Sequence, residues 1–197
     1  MERYAALSLS SRIPQLLVIS LMPEALRIAD KFHVIRHANQ AVDQVRRRVQ
    51  GRGLKKGKAR KLFSCRYSLL RAIERARPGD ADKLAEVFAI APELQVAWRL
   101  KEDLRDFYAC TDPQQIREAL DYWYRAVEDS EIPEFQKVAK MIRNWESEVL
   151  AYFGHRMTNA FAEGITNKIK VVKRQAYGMR NFANFQERIM VQCGMPK

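Results

Sequence analysis

The residues of this chain best placed to do chemistry lie between Asn159 and Phe185, in the stretch NAFAEGITNKIKVVKRQAYGMRNFANF. At a helical advance of about 100° per residue, Phe161, Ile165, Ile169 and Val172 fall on one side, and Glu163, Asn167, Lys170 and Arg174 on roughly the opposite side. One carboxylate thus heads a polar row with two cations downstream, and the apolar row is left to pack on a core. An ordinary amphipathic helix with a solvated charged face gives the same pattern, so spacing alone leaves the chemistry open.

Two further groups stand out. Asp30 opens a D-K-F-H sequence, and His37 follows His33 by four residues, a spacing that can bind zinc on a helix. No third ligand stands near them, and an Asp and a His at this spacing are more often structural. The second group is basic. Arg46-Arg47-Arg48 is followed by GRGLKKGKARK from Gly51 to Lys61, with six Lys or Arg and no acid. This reads either as a mobile basic loop or as a flexible arm that meets phosphates through residues such as Lys55 and Lys56. Contacts of that kind carry affinity, not sequence choice. No glycine-rich phosphate loop precedes a helix, and no G-x-S-x-G elbow occurs.

The elements that must hold these groups are mostly helices. Residues 26–35 read as a strand running into a helix. From Val34 an apolar stripe of Ile35, Ala38, Val42, Val45 and Val49 recurs at three- and four-residue steps. The Arg triplet ends that helix, where cations suit the negative end of the helix dipole. Further helices are expected over Leu62–Arg77, from Asp80 as N-cap to Ala89, and from Pro92 to Tyr108. Others start at Asp112-Pro113 and Pro133, where a cap or a first-turn proline opens the helix. Their core candidates are Leu94, Trp98, Leu104 and Phe107, then Ile116, Leu120, Trp123 and Val127, then Phe135, Val138, Ile142 and Trp145. Trp98 could stack a base, but helical spacing favours the core. Gly154 is expected to end the last of these helices, with His155 in the following loop. After a turn at Tyr177-Gly178, Asn181–Val191 reads as a final helix. Residues 1–22 are the least readable; a short strand is expected at Leu16–Ile19.

Composition sets outer limits. A chain of 197 residues, 47% hydrophobic, makes one domain or one and a fraction with a real core. Net charge is +12 and the pI about 9.8, which favours a polyanionic partner, most simply DNA or RNA. Cys65, Cys110 and Cys193 are far apart and form no C-x-x-C, so neither a zinc module nor a disulfide framework is indicated. No apolar run approaches the roughly 18–20 residues that span a bilayer, and the Leu16–Ile19 run has a poor context for signal-peptide cleavage.

The Asn159–Phe185 stretch resembles the C-terminal catalytic segment of bacterial insertion-sequence transposases of the DDE type, in the group called ISL-three. The matched positions are Asn159, Glu163-Gly164, Asn167-Lys168-Ile169-Lys170, Lys173-Arg174, Ala176-Tyr177-Gly178, Arg180-Asn181 and Asn184-Phe185. Thr166 departs from the family's usual Asn. The D-K-F-H at Asp30–His33 also fits, and the resemblance reaches back to about Pro23. It implies that Glu163 is the last of three metal-binding acids around Mg2+, with Asp30 and His33 near the site. Lys168, Lys170, Lys173, Arg174 and Arg180 are then expected to neutralise DNA phosphates nearby, helped by Arg46, Arg47, Arg48, Lys55 and Lys56.

The expected fold is mainly α. It comprises a poorly matched segment 1–22, a strand and helix start of the catalytic domain over 23–37, and a helical insertion over 38–155. A remnant of a ribonuclease-H-like α/β domain carries Glu163 over 156–197. Residues 1–22 contain no Asp, so the other two acids are expected to be missing and the chain to be inactive alone. The expectation is a transposase fragment that works with DNA in the bacterial cytoplasm, nucleoid-associated and away from membranes. Its partners would be copies of itself or a full-length transposase. The alternative is a non-catalytic basic helical module that binds DNA or regulates a full-length transposase.

Overall fold

The computed structural model describes residues 4–7, 26–155, 160–176 and 181–193. Among them are ten α-helices, one short 3-10 turn and two short strands, so the chain is mainly α as expected. Two compact units divide it, Met1–Arg156 and Met157–Lys197.

In the first unit β1 (Tyr4–Leu7) and β2 (Leu26–Ala29) pair in parallel, in register from Tyr4 with Leu26 to Leu7 with Ala29. A parallel pair needs a crossover connection rather than a hairpin. The strand expected at Leu16–Ile19 falls in that connection, outside the described residues. β1 itself was not legible in the sequence.

Eight helices follow: α1 (Lys31–Gln50), α2 (Lys56–Ser64), α3 (Arg66–Leu70), α4 (Asp80–Ile90), α5 (Pro92–Phe107), α6 (Pro113–Ser130), α7 (Pro133–Asn144) and α8 (Glu146–His155). α1 is the central one and packs against α2, α3, α5 and α7. Its stripe of Ile35, Ala38, Val42, Val45 and Val49 is buried as the periodicity predicts, with Val34 and Ala41 added. The expected cores of α5, α6 and α7 are likewise buried, apart from half-buried Trp98 and Trp145. Asp112 caps α6, its carboxylate accepting from the Gln114 N–H at 3.0 Å.

Four local expectations are corrected. Lys56–Lys61 are not loop but the first turns of α2, because Leu62 and Cys65 give this basic run a side to bury. The helix expected over Leu62–Arg77 is instead α2, α3 and the 3-10 turn Ile73–Arg75. The break after Leu70 is held from another helix. The fully buried Lys101 ammonium of α5 donates to the Leu69 carbonyl at 2.7 Å and the Arg71 carbonyl at 3.1 Å, satisfying helix-end acceptors that would otherwise lack partners. Asp80 is the first residue of α4, not its cap; Gly79 holds that place at φ +80, a left-handed conformation that glycine adopts without strain. The Asp80 carboxylate ties the segment together, accepting from the Arg77 N–H and the Ser68 hydroxyl at 2.8 Å each and from Arg71. Gly154 does not end α8, which runs through it to His155.

The second unit holds α9 (Ala160–Gln175) and α10 (Phe182–Cys193), packed on one another. Asn181 starts α10, its side-chain oxygen accepting from the Ala183 N–H at 2.9 Å.

Trp123 is 0% exposed and its indole N–H donates to the Leu100 carbonyl at 2.8 Å, pinning α6 to α5. Trp123→Ala is expected to destabilise the protein by about 3–5 kcal/mol in urea unfolding. Tyr122→Ala, on the exposed side of the same helix, should stay within about 0.5 kcal/mol. Comparable losses for the two would contradict this packing.

A second expectation concerns pH. The Arg77 N–H, the Ser68 hydroxyl and Arg71 bring the Asp80 carboxyl down to about 2 from its ordinary 3.8. A depressed carboxyl contributes stability above the unfolded value and loses it as pH falls through the folded one. The urea midpoint of the wild type should therefore fall more steeply than that of Asp80→Asn as pH drops from 3.8 toward about 2; parallel curves would refute the assignment.

Candidate functional site

Asp30 sits where β2 gives way to α1, at the carboxyl end of a strand and the amino end of a helix. Its extended backbone (φ −64, ψ 127) stops the strand, and its side chain caps the helix by accepting from the Phe32 N–H at 2.8 Å. The other carboxylate oxygen lies 3.7 Å from His33 Nδ1, too far for a hydrogen bond but close enough for electrostatic contact. Both residues are buried, at 3% and 7% exposure. The sequence-selected pair is therefore brought together, as a buried helix start. His37 lies one turn on, with its pKa lowered by burial and by Arg36 and His33. Among the described residues, no group of three or more His, Cys, Asp or Glu could hold a metal ion.

Tyr108 was not selected from the sequence. It is 2% exposed, its hydroxyl has no hydrogen-bond partner among the described residues, and Tyr152 and Phe107 meet it edge-on. Burial raises its hydroxyl well above the ordinary tyrosine value, with Tyr152 and the charge of Asp30 adding to the effect. Its place at the end of a predicted helix gave no sign that it would approach Asp30.

Glu163 occupies the fourth position of α9. On the same row Asn167, Lys170 and Arg174 are exposed, while Ile169 is half-buried and Val172 buried, so the two-sided reading holds for these residues. Lys168 and Lys173 are exposed too. None of Lys168, Lys170, Lys173 and Arg174 forms an ion pair with a described residue. Arg180 lies outside the described residues.

The other selected cations divide. Arg46 is buried and held by Asp43 at 2.8 Å, and its guanidinium also donates to the Gln50 side chain at 2.9 Å. Arg48 donates to both oxygens of Glu134, at 2.7 and 3.1 Å, and to Glu93 at 3.1 Å. These two are committed within the fold. Arg47 pairs with Asp43 at 2.9 Å but keeps a 67% exposed side chain. Lys55 and Lys56 are exposed, as are Lys58 and Arg60, and none of the four pairs with a described acid. Trp98 is half-buried against Phe88, with the Lys101 ammonium 5.4 Å from its ring centre. It lines an apolar cavity of about 590 Å³ with Ile73, Leu84 and Phe88, which none of the selected site residues reaches.

Fold and surface together define a mainly helical protein that carries exposed cations on α2 and α9 and a buried Asp–His pair at a strand-to-helix junction. A family model described as Transposase, that of the ISL3-type DDE group, matches residues 15–189, and the chain belongs to this family. It is 29% identical over 161 residues to the transposase for insertion sequence element IS1001 of Bordetella parapertussis. It is 30% identical over 182 residues to the transposase for insertion sequence element IS1557 of Mycobacterium tuberculosis (strain CDC 1551 / Oshkosh). Each match covers 81% of this chain, and the chain spans 40% of the length of each of these relatives. No solved structure matches it.

Asp30→Ala removes both the helix cap and the carboxylate, whereas Asp30→Asn keeps a capping oxygen. The Ala variant is expected to lose about 1 kcal/mol or more of stability in urea unfolding, and the Asn variant only a few tenths. Equal losses would show that the negative charge, and not the cap, is what the fold uses.

Proposed function

We propose that this chain supplies the helical insertion and the glutamate-bearing helix of a DNA strand-cleaving and strand-transferring site of the ribonuclease-H-like kind. By itself, the chain binds DNA without cutting it. The observation that carries this reading is α9, where the family-like residues from Glu163 to Arg174 lie on one helix with Lys168, Lys170, Lys173 and Arg174 exposed and free of described acids. The parallel β1–β2 pair leading through Asp30 into α1 supports an α/β sheet, whose ligands collect at the carboxyl ends of its strands.

Strand transfer of this kind uses two divalent ions to activate the attacking oxygen and stabilise the leaving one. Magnesium takes about six oxygen ligands; a single Glu163 offers two, so it does not fit a two-ion centre alone. Asp30 already spends one oxygen on the α1 cap. The remaining carboxylates come from outside the described residues, from further transposase segments or from another transposase chain in a mixed or homo-oligomeric assembly. Within this chain, the α9 cations neutralise phosphates along the helix downstream of Glu163, and Lys55, Lys56 and Arg47 add a second phosphate-binding surface. The place of work is the bacterial nucleoid; among the described residues no helix is long and apolar enough to cross a membrane. A second reading, a non-catalytic module that competes with a full-length transposase for DNA, shares every one of these contacts.

The test is binding and magnesium-dependent nicking of labelled insertion-sequence-end DNA, with Glu163→Gln alongside. Equal binding and no nicking in both proteins is the expected result. Nicking that Glu163→Gln abolishes would overturn the binding-only proposal, and failure to bind DNA would overturn the whole reading. Changing Lys168, Lys170, Lys173 and Arg174 to Gln should lower the slope of log affinity against log salt by about 3 to 4, at roughly 0.9 for each phosphate no longer neutralised.

A further inference from the structure

Two large aromatic rings stand exposed four residues apart, Phe63 on α2 and Tyr67 on α3, at 67% and 70% exposure. The two helices meet at Cys65, whose N–H closes α2 on the Lys61 carbonyl at 3.1 Å and whose carbonyl opens α3 by accepting from the Leu69 N–H at 3.0 Å. Its backbone (φ −82, ψ 0) stays close to helical, so residues 56–70 keep nearly the same helical phase. At about 100° per residue, Lys56, Arg60, Phe63 and Tyr67 fall within roughly 60° of one another. Leu62, Cys65 and Leu69 face the other way and are all buried, at 0–1% exposure. The outward row is thus two cations followed by two rings. The Arg66 guanidinium lies 5.7 Å from the centre of the Tyr67 ring and 3.2 Å from Asp43, which holds that ring's neighbour in place.

Packing does not explain these rings, because the packed side of the same segment is already filled. Their setting is cationic: of the six Lys or Arg from Arg52 to Lys61, Arg52 and Lys61 meet Glu93 and Glu86, and Lys55, Lys56, Lys58 and Arg60 pair with no described acid. A second copy of this face would bring like charges together, which disfavours self-association through it. A lipid surface calls for a broad continuous apolar face, and here the outward row offers only two rings behind two charges. Cations that track a phosphate backbone beside rings with open π-faces are what unpaired bases stack on.

We propose that Lys56, Arg60, Phe63 and Tyr67 form a platform for single-stranded or locally opened DNA, with phosphates on the cations and bases on the rings. This rests on the DNA reading above and adds to it a preference for unpaired strands.

The experiment is anisotropy titration of the full chain with labelled oligothymidine of about 20 nucleotides and with duplex DNA of the same length. The double variant Phe63→Ala/Tyr67→Ala should lose about ten-fold or more in affinity for the single strand and stay within about two-fold for the duplex. Tyr67→Trp should keep the affinity, and its indole emission should be quenched on addition of oligothymidine. That readout does not depend on the double variant folding. Equal losses on both DNAs, no loss on either, or an unquenched Tyr67→Trp would overturn the platform, while the wild type's binding to duplex would still support the DNA reading. A drop in oligomeric mass by light scattering, or lost binding to phosphatidylserine vesicles in place of DNA, would overturn the platform too. If the wild type binds neither DNA, the reading under Proposed function fails together with this one.

Discussion

Burying α1 along most of its length obliges the fold to match the charges that the helix carries with it. Asp43 and Arg46 are both buried in its middle, and the cluster is completed by Arg47 from the same helix and Arg66 from α3. Burial alone would raise the Asp43 carboxyl, but the Arg46 hydrogen bond and the three guanidinium charges outweigh it and hold the group below the usual carboxylate value. One turn on, Arg48 reaches Glu134 on α7 and Glu93 on α5, and Arg52 reaches Glu93 as well. Such pairs add little net stability when complete. Removing one partner of the buried Asp43–Arg46 pair, however, strands a desolvated charge at a cost of about 3–5 kcal/mol, whereas the part-exposed Arg52–Glu93 pair is worth about 1 kcal/mol or less. They therefore act on the arrangement: α3, α5 and α7 can settle against α1 only where their charges meet its own.

That constraint divides the Arg46-Arg47-Arg48 triplet. Arg46 is held by Asp43 one turn back on the same helix, Arg47 keeps an exposed side chain, and the partners of Arg48, Glu93 and Glu134, are distant in sequence; a one-dimensional pattern shows such a cation without showing what will lie opposite it. Apolar stripes do not suffer from this, because a helix buries its face whatever the partner. Hence the cores of α1, α6 and α7 were legible, as were the starts of α5, α6 and α7 at Pro92, Pro113 and Pro133, where proline at a first helical position marks the boundary locally. The region from Lys56 to Asp80 was not, since its geometry depends on Lys101 reaching across from α5 to the Leu69 and Arg71 carbonyls and on Asp80 gathering Ser68, Arg71 and Arg77. Local propensity favoured one helix there; a tertiary contact divided it.

The candidate site divides along the same line. Asp30 and His33 were selected by motif and are found together, because a strand end followed by an N-cap is a local device. Tyr108 joins them only through the packing of α5 on α1, which no spacing encodes. Two of the ten selected cations, Arg46 and Arg48, are consumed by the core, while the α9 set and Lys55 and Lys56 stay open to solvent.

On the proposed reading, two solvent-facing cation sets, one in each compact unit, would give this chain affinity for a polyanion without a way to read sequence, since phosphates are alike along a duplex. The rings at Phe63 and Tyr67 change what can be distinguished, because a base must leave its stack to meet them. Discrimination by this chain would then be between paired and unpaired DNA rather than between sequences. The proposed assembly would use that distinction: opening a duplex costs free energy, and a surface that binds the opened form would offset part of that cost where a strand is to be cut or joined.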